Sequence, residues 1–287
     1  MSVRPCHVCG ETSRLEVRFR SGAYTIVRCR ACELVYTNEI PPAAELEAVY
    51  GRAFFEVGQK FAGRSEGVGL VNAAARVSRL FELPDVGRAR WLDVGCATGD
   101  FLEAARRAGV SEVRGVELSE YAASEARARG FDVARGDFAS VALPPAAFDV
   151  VTMWDYIEHV PDPAASLHRA FAALRPGGYL AISTGDAASL AARVMGRFWH
   201  LMIPPKHLYF FTLDTLVRLL QGAGFLMVRI DKPGKRVPLD FAAWKATVML
   251  APSAAPAVLR AAGRLGLGRL QPSINLRDIM TVCARRP

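Results

Sequence analysis

No apolar run in this 287-residue chain reaches the ~18–20 residues needed to cross a bilayer. The nearest approach, residues 241–262, is interrupted by Lys245, Pro252 and Pro256. The first 30 residues hold Arg4, Pro5, Cys6 and Cys9 but no apolar h-region. Neither a membrane span nor a secretory signal is therefore expected, and a cytoplasmic location is the default. Lysine is scarce too, at five of the 36 basic residues. A net charge of +8 raises the question of nucleic acid. The arginines are scattered, however, and no groove-reading motif accompanies them, so a nucleic-acid partner is not expected. The rest is an ordinary globular composition, 51% apolar and 22% charged. The length suits one good-sized α/β domain plus a small accessory module.

Four of the six cysteines come as two Cys-x2-Cys pairs, Cys6 with Cys9 and Cys29 with Cys32. In a chain without a secretory signal this is a metal pattern more than a disulfide pattern. Four thiolates suit tetrahedral Zn2+ and close its shell, so the expected role is structural. Strand-like runs at 15–19 and 24–28 flank a Ser21-Gly22 turn. Residues 1–40 therefore read as a zinc ribbon that depends on its metal to fold. Residues 41–89 read as a helical connector and cofactor cover, with helices at 43–50 and 70–83 around a glycine-rich piece. Its aromatics Tyr50, Phe54 and Phe55 suit a core more than a ligand cover.

From residue 90 onward short apolar runs alternate with amphipathic helical patterns. Strands are expected at 91–94, 113–118, 131–134, 148–153, 179–183, 226–230 and 279–284. The alternation predicts a doubly wound α/β sheet, with ligands at the carboxyl ends of its strands. The first strand runs into Asp93-Val94-Gly95-Cys96-Ala97-Thr98-Gly99-Asp100. A dinucleotide loop would need Gly-x-Gly-x-x-Gly with its pyrophosphate on the helix N-terminus. Here the middle and last glycines of that spacing are missing, and Asp93 and Asp100 flank the turn. Two anions facing a diphosphate is poor electrostatics. They suit a ligand carrying an ammonium and a sulfonium. Glu117, followed by Leu118, ends the second strand and can accept from ribose hydroxyls. Asp137 and Phe138 follow the third, and Trp154 and Asp155 end the fourth.

This series, with the turn Leu174-Arg175-Pro176-Gly177-Gly178, resembles the class I S-adenosylmethionine-dependent methyltransferases. One departure is Ala97, where the family most often has glycine. The resemblance implies a seven-stranded sheet of order 3-2-1-4-5-7-6 with strand 7 antiparallel. It also implies S-adenosylmethionine as cofactor. Asp93, Gly95, Gly99 and Trp154 would surround the methionine part, Glu117 the ribose, and Asp137 and Phe138 the adenine. Cys96, Leu118 and Asp155 complete the expected contacts.

Residues 185–211 read as a lid insertion within the 90–287 domain. The ribbon, the domain and Lys206-His207-Leu208-Tyr209-Phe210-Phe211-Thr212 together resemble zinc-ribbon methyltransferases, a subfamily that includes sugar C-methyltransferases. The implied acceptor is a small organic molecule such as a sugar, glycan precursor or natural-product intermediate. His207 is the first candidate base, with His159 and Tyr209 behind it. Three rival readings are a zinc-anchored rRNA or tRNA methyltransferase, a non-catalytic S-adenosylmethionine-binding protein and a dinucleotide oxidoreductase. Residues 239–270 fit a lid, a dimer contact or a membrane-surface patch.

Overall fold

The computed structural model describes residues 3–42, 45, 51, 52, 55 and 67–287. The expected helix at 43–50, with Tyr50 and Phe54, lies outside the described residues. The chain opens with three short strands, β1 (Leu15–Ser21), β2 (Tyr24–Cys29) and β3 (Val35–Thr37). After helix α1 (Val68–Phe81) come β4 (Arg90–Val94), α2 (Asp100–Arg107), β5 (Glu112–Glu117), α3 (Glu120–Ala128) and β6 (Asp132–Arg135). Next are β7 (Phe148–Trp154), α4 (Pro163–Ala173), β8 (Leu174–Gly185), α5 (Leu190–Met195), β9 (Tyr209–Phe210), α6 (Leu213–Gly222) and β10 (Leu226–Asp231). The last elements are β11 (Lys235–Arg236), α7 (Leu239–Leu250), α8 (Ala255–Arg264), β12 (Ser273–Ile274) and β13 (Ile279–Arg285).

The large sheet has the order β10-β13-β8-β7-β4-β5-β6. Read from the other edge this is the expected 3-2-1-4-5-7-6, with β13 antiparallel to both neighbours. Its central strands are apolar on both faces because helices cover both. Leu92, Val94, Val151 and Met153 point to one face, against Leu167 and Ala170 of α4 and Leu216 and Leu220 of α6. Trp91, Val150 and Ala181 point to the other, against Val77 and Leu80 of α1 and Phe101 and Ala105 of α2. Local chemistry agrees with these boundaries. Asp162 caps α4, with Pro163 in its first turn, and Thr212 with Thr215 forms a capping box on α6. The Arg-Pro-Gly-Gly turn is a bulge inside β8. Leu174 pairs with Phe148, but Tyr179 already pairs with Val150.

The ribbon is continuous with the large domain. β9, from the insertion, adds to β3 and completes a sheet of order β1-β2-β3-β9. Val27, Leu34 and Tyr36 share one buried cluster with Leu208, Tyr209 and Phe211. The Arg4 guanidinium lies 5.0 Å from the Tyr36 ring centroid and 5.2 Å from that of Tyr209. These contacts correct the lid expectation. Residues 208–211 are buried in the joint, while Leu190, Val194, Phe198 and Ile203 of the insertion are exposed. Among the described residues no helix is long and apolar enough to cross a membrane.

Candidate active site

The four Sγ atoms of Cys6, Cys9, Cys29 and Cys32 lie within 4.8 Å of one another. Cys6–Cys32 is 3.4 Å and Cys9–Cys29 is 3.6 Å. A tetrahedron of thiolates ~2.3 Å from a metal has edges of about 3.8 Å, so the set fits Zn2+. These separations are far beyond a disulfide bond. The Cys32 thiol, with the Val8 and Cys9 amides, draws Cys6 down to about 5, as befits a thiolate ligand.

The loop after β4 is held by main-chain bonds from Gly95 and Cys96 to the Val116 carbonyl. Gly95 and Gly99 take φ of 73° and 89°. Ala97, the departure from glycine, is also left-handed at φ 48°, a conformation costing an L-residue roughly 1–2 kcal/mol. Its amide donates to Glu117 Oε2 at 2.9 Å, while Ser119 N donates to Oε1 at 2.9 Å. The Glu117 carboxylate therefore ties the first loop to the second. Burial pushes Glu117 above the ordinary carboxylate range. Asp93 is only 3% exposed and accepts from Thr152 Oγ1 at 2.6 Å. Burial raises it to about 7 against the Thr152 hydrogen bond.

Several expected contacts take other roles. Asp100 is not a second anion facing the ligand, because Arg129 donates to it at 3.0 Å. Cys96 packs inward over Gly115, where any added Cβ would stand 2.4 Å from its sulfur. Burial raises its thiol well above the ordinary range, as suits a side chain packed into the fold. Phe138 is 2% exposed and meets Tyr156 edge-on at 6.5 Å, a core position in place of the expected adenine-facing one. Asp137 is exposed at the end of β6, and Leu118 is half-buried. Trp154 is buried under the Arg76 guanidinium, 4.6 Å from its ring, and its Nε1 has no hydrogen-bond partner among the described residues. An unpaired buried donor is costly, so this atom is a candidate ligand contact.

Beyond Trp154 the end of β7 borders a cavity of about 530 Å3. Asp155, Glu158 and His207 line it together with the apolar Leu201, Val237, Phe241 and Ile279. Asp155 accepts from Arg76 at 3.0 Å, Lys235 at 2.9 Å and Ser183 at 2.9 Å. Burial alone would raise Asp155, but Lys235 and Arg76 hold it below the ordinary range. Glu158 is 3% exposed, and its Oε2 has no partner among the described residues. Burial, then the Asp155 charge, pushes it up to about 8. One carboxylate oxygen of Glu158 and ring nitrogens of His159 and His207 fall within 4.8 Å of one another. Burial drives His207 down to about 3, helped by His159. His159 is likewise lowered by burial, and its Nδ1 is 2.8 Å from the Lys206 carbonyl.

Tyr209 does not join this group. It is 1% exposed, accepts from Arg4 Nη1 at 2.9 Å and donates to the Pro161 carbonyl at 2.8 Å. It belongs to the joint between ribbon and domain. Sequence reading missed Glu158, Arg76, Lys235 and Lys245. Glu158 stands one position before His159 and was within reach. The others are 79 to 90 residues from Asp155 in sequence and converge only through the fold.

A family model described as a methyltransferase domain matches residues 71–230. The ubiquinone biosynthesis O-methyltransferase of Thiobacillus denitrificans is 35% identical over 148 residues, covering 46% of this chain and 62% of that protein. Its counterpart in Ralstonia nicotianae is 33% identical over 161 residues, 53% and 66% of the two chains. The Idiomarina loihiensis protein of the same name is 40% identical over 100 residues, 32% and 41%. The matches thus span about two fifths to two thirds of these relatives' own length. A methyltransferase crystal structure from Thermotoga maritima, described as a possible histamine N-methyltransferase, aligns with TM-score 0.57 and 22% identity over 84% of this chain and 100% of that one. An Archaeoglobus fulgidus S-adenosylmethionine-dependent methyltransferase gives 0.55 and 22% over 81% and 99%. At these identities the solved structures speak to the fold alone.

Proposed function

The chain belongs to the methyltransferase-domain family, and from that premise we propose that it moves a methyl group from S-adenosylmethionine to a small organic acceptor held in the 530 Å3 cavity. The observation carrying this reading is one of adjacency. Two buried carboxylates, Asp93 and Glu117, flank the glycine loop, and one strand over β7 ends against a cavity lined by a buried Glu158 whose Oε2 has no partner among the described residues.

When bound, the cofactor supplies a methyl group on a positively charged sulfur, already activated for in-line displacement. The protein's work is then positioning, worth up to ~7–11 kcal/mol, and removal of the acceptor's proton. Asp93 suits the ammonium, Glu117 the ribose hydroxyls, and Asp137 the adenine amino group. The unpaired Trp154 Nε1 belongs to the residue that ends β7. Glu158 suits the proton transfer better than His207. A base works best with its pKa near the working pH, and Glu158 sits at about 8 against about 3 for His207. His207 and His159, both neutral, would orient the carboxylate and the acceptor. The relatives' names as O-methyltransferases favour a hydroxyl oxygen as the atom methylated. The four N-terminal thiolates would hold one structural Zn2+.

Calorimetric titration with S-adenosylhomocysteine, followed by transfer of labelled methyl to a panel of hydroxylated acceptors, tests the proposal. Absence of S-adenosylhomocysteine binding at millimolar concentration refutes it.

A further inference from the structure

We propose that Lys245 of α7 anchors an anionic group, carboxylate or phosphate, on the acceptor, so that the acceptor is a small amphiphile with one oxyanion and an apolar body. The inference rests on reading the cavity as the acceptor site.

Helix α7 is the wall of that cavity. Phe241, Ala242, Lys245 and Ala246 line it, at spacings that share one helical face. Each other charged group in the lining is already satisfied. Asp155 is bonded to Arg76, Lys235 and Ser183, which also accounts for Lys235. Asp278 accepts from Trp199 Nε1 at 2.9 Å and lies 3.5 Å from His200 Nδ1. Glu158 is held in its neutral form at neutral pH, as is His207. Lys245 is the cation of the lining with no acidic partner at ion-pair distance among the described residues.

A half-buried ammonium with no acidic group at ion-pair distance is costly, and a ligand bringing that charge recovers the cost. Burial and the Lys235 charge hold Lys245 below the ordinary lysine range, and the more distant Asp278 charge opposes them only in part. Lys245 shares the cavity wall with His200 and His207, both of which feel its charge. Apart from Asn275, the remaining lining, including Met195, Leu201, Val237, Phe241 and Ile279, is apolar. An acceptor with its anion at Lys245 would lay its apolar body along this wall and its reacting group towards Glu158. This gives residues 239–250 a role in acceptor selection. Lysine is a good choice for the task, since as a point charge it takes a carboxylate or a phosphate equally.

The test uses the full chain saturated with S-adenosylhomocysteine, titrated calorimetrically with benzoate, phenyl phosphate and neutral benzamide. Wild type, Lys245→Met and Lys245→Arg are compared. At least one anionic probe should bind tenfold or more tighter than benzamide. Lys245→Met should bring that ratio to about one, Lys245→Arg should keep most of it, and neither should change S-adenosylhomocysteine affinity. Benzoate against phenyl phosphate identifies which oxyanion fits. Equal affinity for anionic and neutral probes, a preference that survives in Lys245→Met, or no binding by any probe would overturn the proposal. Failure of the methyl-transfer reading looks different. There S-adenosylhomocysteine would not bind, while a lysine-dependent anion preference, measured without it, would persist.

Discussion

If Asp93 meets the cofactor's ammonium as proposed, cofactor binding should release a proton near neutral pH. The Asp93 carboxyl is buried and sits at about 7 against an ordinary 3.8. That displacement disfavours the charged form by about 4 kcal/mol. At pH 7 roughly half the cofactor-free protein therefore carries a neutral Asp93. A ligand ammonium placed beside it reverses the preference, because an opposite charge at close range favours the ionised form. Binding must then expel the proton. If the bound carboxyl falls well below 6, S-adenosylhomocysteine should bind about tenfold tighter at pH 8 than at pH 6, releasing roughly half a proton at pH 7. Calorimetry in buffers of different ionisation enthalpy reads this number directly. Asp93→Asn is the control, since it keeps the oxygen that accepts from Thr152 but cannot titrate. The ligand's own amino group also titrates near pH 8, and the variant isolates that share. The same group sets a stability trend in the unliganded protein. A raised carboxyl stabilises the fold below 3.8, and that contribution fades as pH rises through about 7. An affinity with no pH dependence, or one unchanged in Asp93→Asn, would refute the reasoning.

Two further outcomes are expected. Glu158→Gln should lower kcat by ~10²–10⁴-fold while S-adenosylhomocysteine still binds, and the wild-type rate should rise with pH through about 8, where the carboxylate form takes over. A variant whose pH–rate profile matches wild type removes Glu158 from proton transfer. Gly115→Ala should destabilise by about 1–3 kcal/mol in denaturant unfolding, because its Cβ would stand 2.4 Å from Cys96 Sγ and 3.1 Å from Val133. Adding Cys96→Ala should recover most of that loss without weakening cofactor binding, and a loss of binding instead would restore Cys96 to the cofactor site.

The sheet was readable because its strands obey local rules. Parallel strands covered on both faces are largely apolar, and β7, buried at all seven positions, carries only Asp149 and Thr152 among apolar residues. The knuckles were readable because a metal sets the cysteine spacing chemically. The failures share a different cause. Phe138 follows an acidic residue at a strand end, and sequence does not say whether such a ring turns to ligand or core. Here it turns to Tyr156 and the Arg169 guanidinium. Tyr209 looked like a base because it stands two residues from His207, but its hydroxyl is engaged by Arg4 and by the Pro161 carbonyl in the joint with the ribbon. Glu158 and Lys245 matter through what the described residues do not supply, a partner for Glu158 Oε2 and an acidic group at ion-pair distance from Lys245. Absence of a partner is a property of the folded surroundings and has no signature in a motif.

The pairing of β3 with β9 ties the ribbon to the segment that carries His207 in the proposed acceptor site, and this has a consequence for metal removal. Thr37 lies at the end of β3. Its amide donates to the Leu208 carbonyl at 2.8 Å and its hydroxyl to the His207 carbonyl at 3.1 Å. On the other side Leu208 N and Tyr209 N donate to the Glu158 carbonyl at 2.8 and 3.2 Å. The β9 segment is thus held between the ribbon and the loop that carries Glu158. A ribbon of about 40 residues buries too little to fold unaided, so losing its metal should release β3 and, with it, the backbone that positions His207. The glycine loop is held separately, by Val116 and Glu117. Chelation should therefore raise the acceptor KM and lower kcat while S-adenosylhomocysteine affinity changes little. Limited proteolysis should show cleavage within 3–42 before cleavage in the large domain. Chelated protein with a protease-resistant ribbon, or with cofactor affinity lost in step with acceptor turnover, would show that the two sites are not divided in this way.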